Sequence, residues 1–292
     1  CGGDDSTCSD CAGVLGGKLS TMYVFNADGC GARGAGTGDG SCQGGANDTH
    51  TIGFRQAGQL FGLDYRGEYY YQFGDAMGVA HSAANNNVMY TTGTSALGIG
   101  KEVDRQAYMF GVRVGKQFKN VSMKPKLTLW YDYLSGTSDQ DARDGDYKSF
   151  NTVYDTGHKF YGLQDNFLGI GNNSCGKGTC GLGLTDAAIK AQVSPAPGWT
   201  LKTDFHWFYT AEGVGASPQR SLRTAATVTQ TTTDSSDLGQ ELDVTLVNKY
   251  NANTKIMFGY SHYTQGPALS MIRSGNGNDD ANWFYTQIHV GF

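Results

Sequence analysis

A period-two alternation of apolar and polar residues recurs along this chain, and it constrains the fold more than any other feature. In the C-terminal stretch, Phe284, Ile288 and Val290 fall on one side of an extended chain, with Tyr285 and Gln287 on the other. Because successive side chains of a β-strand point to opposite faces of the sheet, the pattern predicts strands that are apolar on one face only.

The alternation predicts about ten strands, separated by connections that are short and long in turn. Short connections lie near Phe61 and at 119–123, 194–198 and 249–253. The predicted strands lie at about 18–26, 49–60, 64–73, 108–115, 126–133, 186–193, 201–209, 241–246, 255–261 and 284–292. Long connections lie at about 27–48, 75–103, 136–183, 211–237 and 266–280. Outer-membrane barrels sort their connections in this way, with short periplasmic turns and long external loops.

Hydropathy is consistent with strands that cross a membrane. No run approaches the roughly 20 apolar residues of a spanning helix, whereas a barrel strand needs only about 9–11 residues with every second one apolar. In hydrocarbon an unpaired backbone amide is too costly to persist, so such a sheet must close. We therefore predict an all-β fold, a transmembrane antiparallel up-and-down β-barrel over 17–292 in the bacterial outer membrane, in contact with lipid. Residues 1–16 are predicted to form an N-terminal periplasmic segment.

Two other classes fit the sequence poorly. A soluble β-sandwich gives no reason for short and long connections to alternate, and tyrosine-rich strands with one apolar face would aggregate in water. The net charge of −5 offers no support for nucleic-acid binding, which usually shows a basic stripe.

The seven cysteines suggest an oxidising compartment, since they bracket loops rather than interrupt predicted strands. The disulfide candidates are Cys30 with Cys42, Cys175 with Cys180, and Cys8 with Cys11. Zinc is the weaker alternative for the last pair, because no second ligand pair stands at a suitable spacing. The chain starts at Cys1 without a signal peptide, so we expect it to be processed or truncated. Lipid modification of Cys1 stays open.

Several stretches carry a family likeness. They are 58–75, 106–136 with Trp-Tyr-Asp-Tyr-Leu-Ser-Gly at its end, 156–162 (Thr-Gly-His-Lys-Phe-Tyr-Gly), 238–246 (Leu-Gly-Gln-Glu-Leu-Asp-Val-Thr-Leu) and 259–262 (Gly-Tyr-Ser-His). In this order they resemble the alginate-export family of outer-membrane barrels, over most of residues 50–292. The resemblance implies export of an anionic polysaccharide through a monomeric, porin-like barrel with a basic lumen. The family's exporter is larger, with up to about 18 strands. This chain is therefore expected to be either a ten-stranded relative or the C-terminal part of a larger barrel.

The side chains on the inward side of the alternation are predicted to line the lumen. They carry nearly balanced charge, which in a narrow barrel favours ion pairs across the interior and in a wide pore would select ions. A strongly basic channel is not evident from the residue types. The predicted lining residues are Lys18, Arg55, Asp64, Arg66, Glu68, Arg113, Lys126, Asp132, Asp186, Lys190, Lys202, Asp204, His206, Glu241, Asp243 and Lys255.

The longest connection, 136–183, raises two further possibilities. It could fold inward as a plug or gate, although an ordered external cap is the favoured alternative. Its carboxylates Asp139, Asp141, Asp144 and Asp146 could bind calcium, whose preferred ligands are oxygens. Arg143 stands where an EF-hand ligand belongs, so a solvated acidic loop is the favoured alternative, and no other cofactor is expected.

We expect no enzymatic activity. His206 and Asp204 are the nearest candidates for catalysis, but a His–Asp pair inside a barrel is more often a structural hydrogen bond. The function favoured by the sequence is a porin-like channel or exporter that passes small polar or charged solutes, possibly polysaccharide. The alternative is a structural barrel with a closed, salt-bridged lumen, which presents disulfide-pinned loops to a cell-surface or periplasmic protein partner.

Overall fold

The computed structural model describes residues 16–27, 48–77, 80–82, 87–89, 102–138, 141, 146–152, 157–167, 178–179, 181–214, 235–272 and 280–291. Its strands are β1 (Gly17–Asn26), β2 (Thr49–Leu60), β3 (Leu63–Met77), β4 (Ala80–Ser82), β5 (Asn87–Met89), β6 (Glu102–Gln117), β7 (Lys126–Leu134), β8 (Leu184–Val193), β9 (Trp199–Tyr209), β10 (Asp237–Lys249), β11 (Thr254–Gln265) and β12 (Ala281–Val290). One short helix, α1 (Pro267–Ile272), precedes β12. Within these ranges no helix is long and apolar enough to cross a membrane.

The ten long strands form one antiparallel sheet in the order β1-β2-β3-β6-β7-β8-β9-β10-β11-β12, while β4 and β5 form a separate hairpin. Each long strand pairs with its neighbour in the chain, which confirms the predicted up-and-down topology and all ten strands. The strands β1 and β12 are the two edges of the described sheet, and no hydrogen-bonded register joins them there. Both edge strands are exposed along most of their length, as expected for strands with a neighbour on one side only.

The sheet has two chemically different faces, in agreement with the predicted alternation. On the apolar face large side chains are exposed, including Tyr23 at 61%, Leu129 at 54% and Phe284 at 68%. On the opposite, polar face Asp132 is 1% exposed and Glu241 is fully buried. Exposed apolar side chains on one face and buried charges on the other are the arrangement expected for a sheet whose apolar face meets lipid.

The four short connections lie at one end of the sheet, called here the short-turn end. The tightest joins β2 to β3, where Phe61 and Gly62 have φ of 53° and 74° between the paired residues Leu60 and Leu63. Two successive positive φ values are those of a type I′ hairpin turn, whose twist matches that of the strands.

A buried apolar cluster lies at the other, long-loop end. It joins strand residues such as Leu134, Phe208 and Tyr263 to Phe167 and to α1, whose Leu269 is 2% exposed. The β7–β8 connection contributes further contacts, since Gln72 of β3 exchanges two hydrogen bonds of 2.7 Å with the backbone of Asn151. The long-loop end of the described sheet is therefore covered by packed chain.

Candidate functional site

Charged side chains cross the polar face from strand to strand. We call them the charged belt; its members are Glu68, Arg113, Asp132, Asp186, His206, Glu241 and Asp243. The register brings them together, because Asp132 is directly opposite Asp186 and His206 is directly opposite Glu241. All seven are buried, so each needs a partner inside the protein.

Arg113 is the cation at the centre of the belt. Its Nη1 lies 2.9 Å from Glu68 Oε1 and its Nη2 lies 3.3 Å from Asp132 Oδ2. The guanidinium also lies 3.4 Å from the centroid of the Trp130 ring. Arg66 adds a second contact to Glu68, at 2.8 Å. One guanidinium therefore links three adjacent strands, β3, β6 and β7.

A second network joins β8 to β9. His206 Nδ1 lies 2.8 Å from Asp186 Oδ1, and its Nε2 lies 3.1 Å from Lys190 Nζ. Lys190 also forms an ion pair with Asp204 at 3.0 Å. The sequence pointed to His206 with Asp204, but the ring is held by Asp186 across the strand pair, and Asp204 is bound by Lys190.

The carboxylates Glu241 and Asp243 differ from the rest of the belt in their partners. Ser261 Oγ contacts an oxygen of each, and its single proton can be donated to either one. The other donors come from the β7–β8 connection, where the backbone N–H of Gln164 lies 2.9 Å from Glu241 Oε1 and that of Leu163 lies 3.2 Å from Asp243 Oδ2. The described segment 157–167 therefore lies on the polar face, which favours the inward arrangement of this connection over the external cap.

Aromatic contacts extend across the sheet from the same segment. The ring of Phe160 lies 6.5 Å from Trp130 on β7, and the ring of His158 stacks at 4.8 Å on Trp283 of β12. Phe167 lies 4.7 Å from Phe208 of β9. Segment 157–167 therefore spans the polar face from β7 to the edge strand β12.

Lysines gather at the short-turn end. Lys249 is directly opposite Lys255, although like charges in facing positions destabilise a strand pair. We call the polar-face lysines at this end the lysine collar. Asp64 is an acidic residue at the same end of the polar face. The collar consists of Lys18, Lys126, Lys202, Lys249 and Lys255. All but the half-buried Lys126 are exposed, and the described residues include no ion pair with any of the five.

The two ends of the described sheet consequently differ in charge. The long-loop end carries mainly acidic residues, namely Asp48, Asp75, Asp104, Asp146, Asp165, Glu212, Asp237 and Asp280. Its described cations are Arg105, Lys148 and Lys159. The near balance of charge counted along the sequence therefore hides a segregation along the strand axis.

The remaining predicted lining residues lie on the polar face as well. Arg55 is directly opposite Glu68, and Asp64 accepts a hydrogen bond of 2.6 Å from Gln59. Lys190 lies 4.7 Å from the Trp130 ring centroid, on the same face as Lys126. The period-two prediction thus grouped these side chains on one face, and whether that face surrounds a lumen stays a prediction.

Only some of the residues predicted to bind calcium or to form disulfides lie within the described part of the chain. Lys148 Nζ lies 2.6 Å from Asp141 Oδ1 and 3.6 Å from Asp146 Oδ2, so an ammonium group occupies the position between these carboxylates. Asp139 and Asp144 fall outside the described residues, within which no group of three potential metal ligands occurs. All seven cysteines and nearly all of the predicted segment 1–16 also fall outside them.

Some residues of the site escaped the sequence reasoning. Arg105 is 3% exposed and lies 4.6 Å from the Tyr147 ring centroid. Lys249 falls at the end of a strand, and the signal for it was present, since lysines flank two of the four short turns. Segment 157–167 has no periodicity from which its position on the sheet could be inferred.

The fold and the site together define a class of protein: an all-β, antiparallel up-and-down sheet of the transmembrane-barrel type, with a charged polar face. The profile of the family described as "Alginate export" matches residues 15–281, which is most of the chain. The chain therefore belongs to the alginate export family, a family of outer-membrane export proteins rather than enzymes. A search of curated proteins returned no match.

Proposed function

We propose that this protein is an outer-membrane conduit for polar, negatively charged solutes, with an anionic polysaccharide as the favoured cargo. The lysine collar is the observation that carries the proposal. Five cationic side chains stand on the polar face at one end, and the facing pair Lys249 and Lys255 is tolerated without a described carboxylate partner. Rings of basic side chains in a pore attract anions and raise their local concentration.

Family membership also supports a conduit function, because the family is one of exporters. In the predicted orientation the short-turn end faces the periplasm, so an exported anion would meet the collar first. Further along the strands it would meet the belt, in which Arg113 and Lys190 already pair with carboxylates. The collar is therefore the part of the polar face best suited to recruit an anion.

Reversal potentials in planar bilayers test this proposal. The purified protein is placed between unequal KCl concentrations, where we expect discrete openings and a reversal potential that indicates chloride preference. Lys249→Gln with Lys255→Gln should lower that preference. Lys116→Gln is the matched control, because Lys116 lies at the same end but on the apolar face, 5.6 Å from the Phe118 ring centroid. Cation preference in the unaltered protein would refute the proposal.

A second candidate is the structural barrel that presents its loops to a protein partner. The buried cluster at the long-loop end favours it, since Phe167, Phe208 and Leu238 are fully buried there and Leu182 is buried with them. The same bilayer experiment separates the two, because a structural barrel leaves the membrane silent.

A further inference from the structure

Segment 157–167 is attached to the polar face by hydrogen bonds to two buried carboxylates. The backbone N–H groups of Leu163 and Gln164 donate to Asp243 and Glu241, which are 3% and 0% exposed. Each bond satisfies one oxygen of a buried carboxyl group. A buried polar group without a hydrogen-bond partner would be costly.

Further contacts hold the segment across the sheet on both sides of this attachment. Gln164 Nε2 donates to the carbonyl oxygen of Ala281 on β12 at 3.1 Å. Within the segment, the backbone N–H of His158 donates to Asp165 Oδ1 at 2.7 Å, which closes the segment on itself. The segment is therefore a compact element with its own internal bonds, anchored to β10 and β12.

We propose that segment 157–167 is the constriction that sets the largest solute able to pass, and that Glu241 and Asp243 are the positioning residues that hold it over the polar face. This inference rests on the proposed conduit function. A side chain or backbone element that narrows a pore fixes its exclusion limit, because a solute must fit the remaining cross-section. Glu241 and Asp243 act on the solute only through the segment.

Gly162 provides the sharpest test of this arrangement. Its φ is 78°, a region that residues with a Cβ rarely adopt, and a Cβ built there would lie 2.5 Å from the carboxyl group of Glu241. Gly162→Ala should therefore strain the backbone of the segment and place a methyl group against the Glu241 carboxyl group, so that the hydrogen bond between the segment and Glu241 is lost. Gly62→Ala is the matched control, since Gly62 has a similar φ of 74° but lies in the β2–β3 turn, where a Cβ would meet nothing within 4 Å.

The experiment compares single-channel conductance and the exclusion of polyethylene glycols of graded size. Gly162→Ala should raise conductance severalfold and admit larger polymers, and Glu241→Ala with Asp243→Ala should do the same. Asp204→Ala is the control for loss of a carboxylate, because Asp204 lies on the same face but bonds Lys190. Gly62→Ala and Asp204→Ala should keep the exclusion limit of the unaltered protein.

Hydrogen exchange at the backbone amides of Leu163 and Gln164 is measured in parallel. If the two carboxylates only stabilised the fold, faster exchange at these amides would not be accompanied by passage of larger polymers. We expect slow exchange in the unaltered protein and fast exchange in Gly162→Ala. An unchanged exclusion limit after these amides are released would overturn the constriction alone. A silent membrane for every variant would overturn the conduit function together with it. A silent unaltered protein with a conducting Gly162→Ala variant would also overturn the constriction, because the segment would then close the pore instead of limiting solute size.

Discussion

The guanidinium of Arg113 lies 3.4 Å from the centroid of the Trp130 ring while it forms ion pairs with Glu68 and Asp132. Trp130 Nε1 donates to the same Asp132 at 3.0 Å. The ring and the cation therefore share one carboxylate, and the three strands that carry these residues are joined at a single buried point. Loss of the cation would leave two buried carboxylates short of a partner.

Arg113→Leu is expected to lower the free energy of unfolding by about 3–5 kcal/mol, the usual cost of removing one partner of a buried ion pair. Urea titration in detergent micelles measures this change. Arg66→Leu is the comparison, because the Arg66 side chain is 24% exposed and Glu68 would keep Arg113. Equal losses for the two variants would contradict the central role of Arg113.

Leu129→Arg is expected to destabilise the protein in a membrane by about 2–4 kcal/mol, the cost of a cation at mid-depth on the lipid face of a barrel. Leu127→Arg should cost no more than about 1 kcal/mol, because it lies nearer the short-turn end of the same strand and a long cation there can reach the interface. The two leucines share a face and are 54% and 46% exposed. Unfolding in lipid vesicles measures both, and equal costs would argue against lipid on this face.

The pair of Asp141 and Lys148 is expected to make the β7–β8 connection sensitive to pH. Partial burial of Asp141 opposes ionisation, but hydrogen bonds from Lys148 and Ser138 outweigh it and lower the pKa of Asp141. The hydrogen bond that the Lys148 ammonium group donates to Asp141 raises the pKa of Lys148. The stability contributed by the lowered carboxyl is present above its unfolded pKa of about 4 and is lost as the pH falls through the folded value.

The stability contributed by Lys148 depends on pH with the opposite sign. Because its pKa is raised, its contribution is complete below the unfolded value of about 10.4 and is lost as the pH rises through the folded value. Chemical shifts of residues 146–148 should therefore be constant between these limits and change outside them. Asp141→Asn should remove the acidic change, and an identical titration in that variant would refute the assignment. The side chain of Lys148 is 38% exposed, so we expect less than about 1 kcal/mol from the pair.

The backbone amides of β1 and β12 are expected to exchange slowly once the protein is in a membrane. In hydrocarbon each unpaired backbone group costs several kcal/mol, so both edges must find a partner, either each other or further strands. Hydrogen exchange in lipid nanodiscs measures this, with the exposed turn around Val121 as the fast-exchanging reference. Fast exchange along β1 or β12 would contradict a membrane-embedded sheet.

The sequence was sufficient to assign side chains to faces. Leu127, Leu129 and Asp132 could be separated because the period of a strand is two, whatever its neighbours are. It was not sufficient to assign partners. His206 is held by Asp186, twenty residues away, because the register of β8 against β9 brings the two together, and register depends on turn geometry as much as on residue type.

The position of a side chain along the strand axis was the other quantity that the sequence pattern did not supply. Lys255 and Glu241 were grouped as inward charges of opposite sign, yet Lys255 lies at the short-turn end and Glu241 lies deep under segment 157–167. A count of charges discards this axial coordinate. The position of segment 157–167 could not be predicted from the sequence either. It depends on Gly162 fitting against Glu241, a contact between residues about eighty positions apart.

The opposed charge of the two ends of the described sheet would make them unequal partners for an anion, if the proposed conduit function holds. A polyanion would be concentrated where the lysines gather, and among the described residues at the other end it would meet mainly carboxylates. The described charges would then favour its capture at the short-turn end and weak retention at the long-loop end.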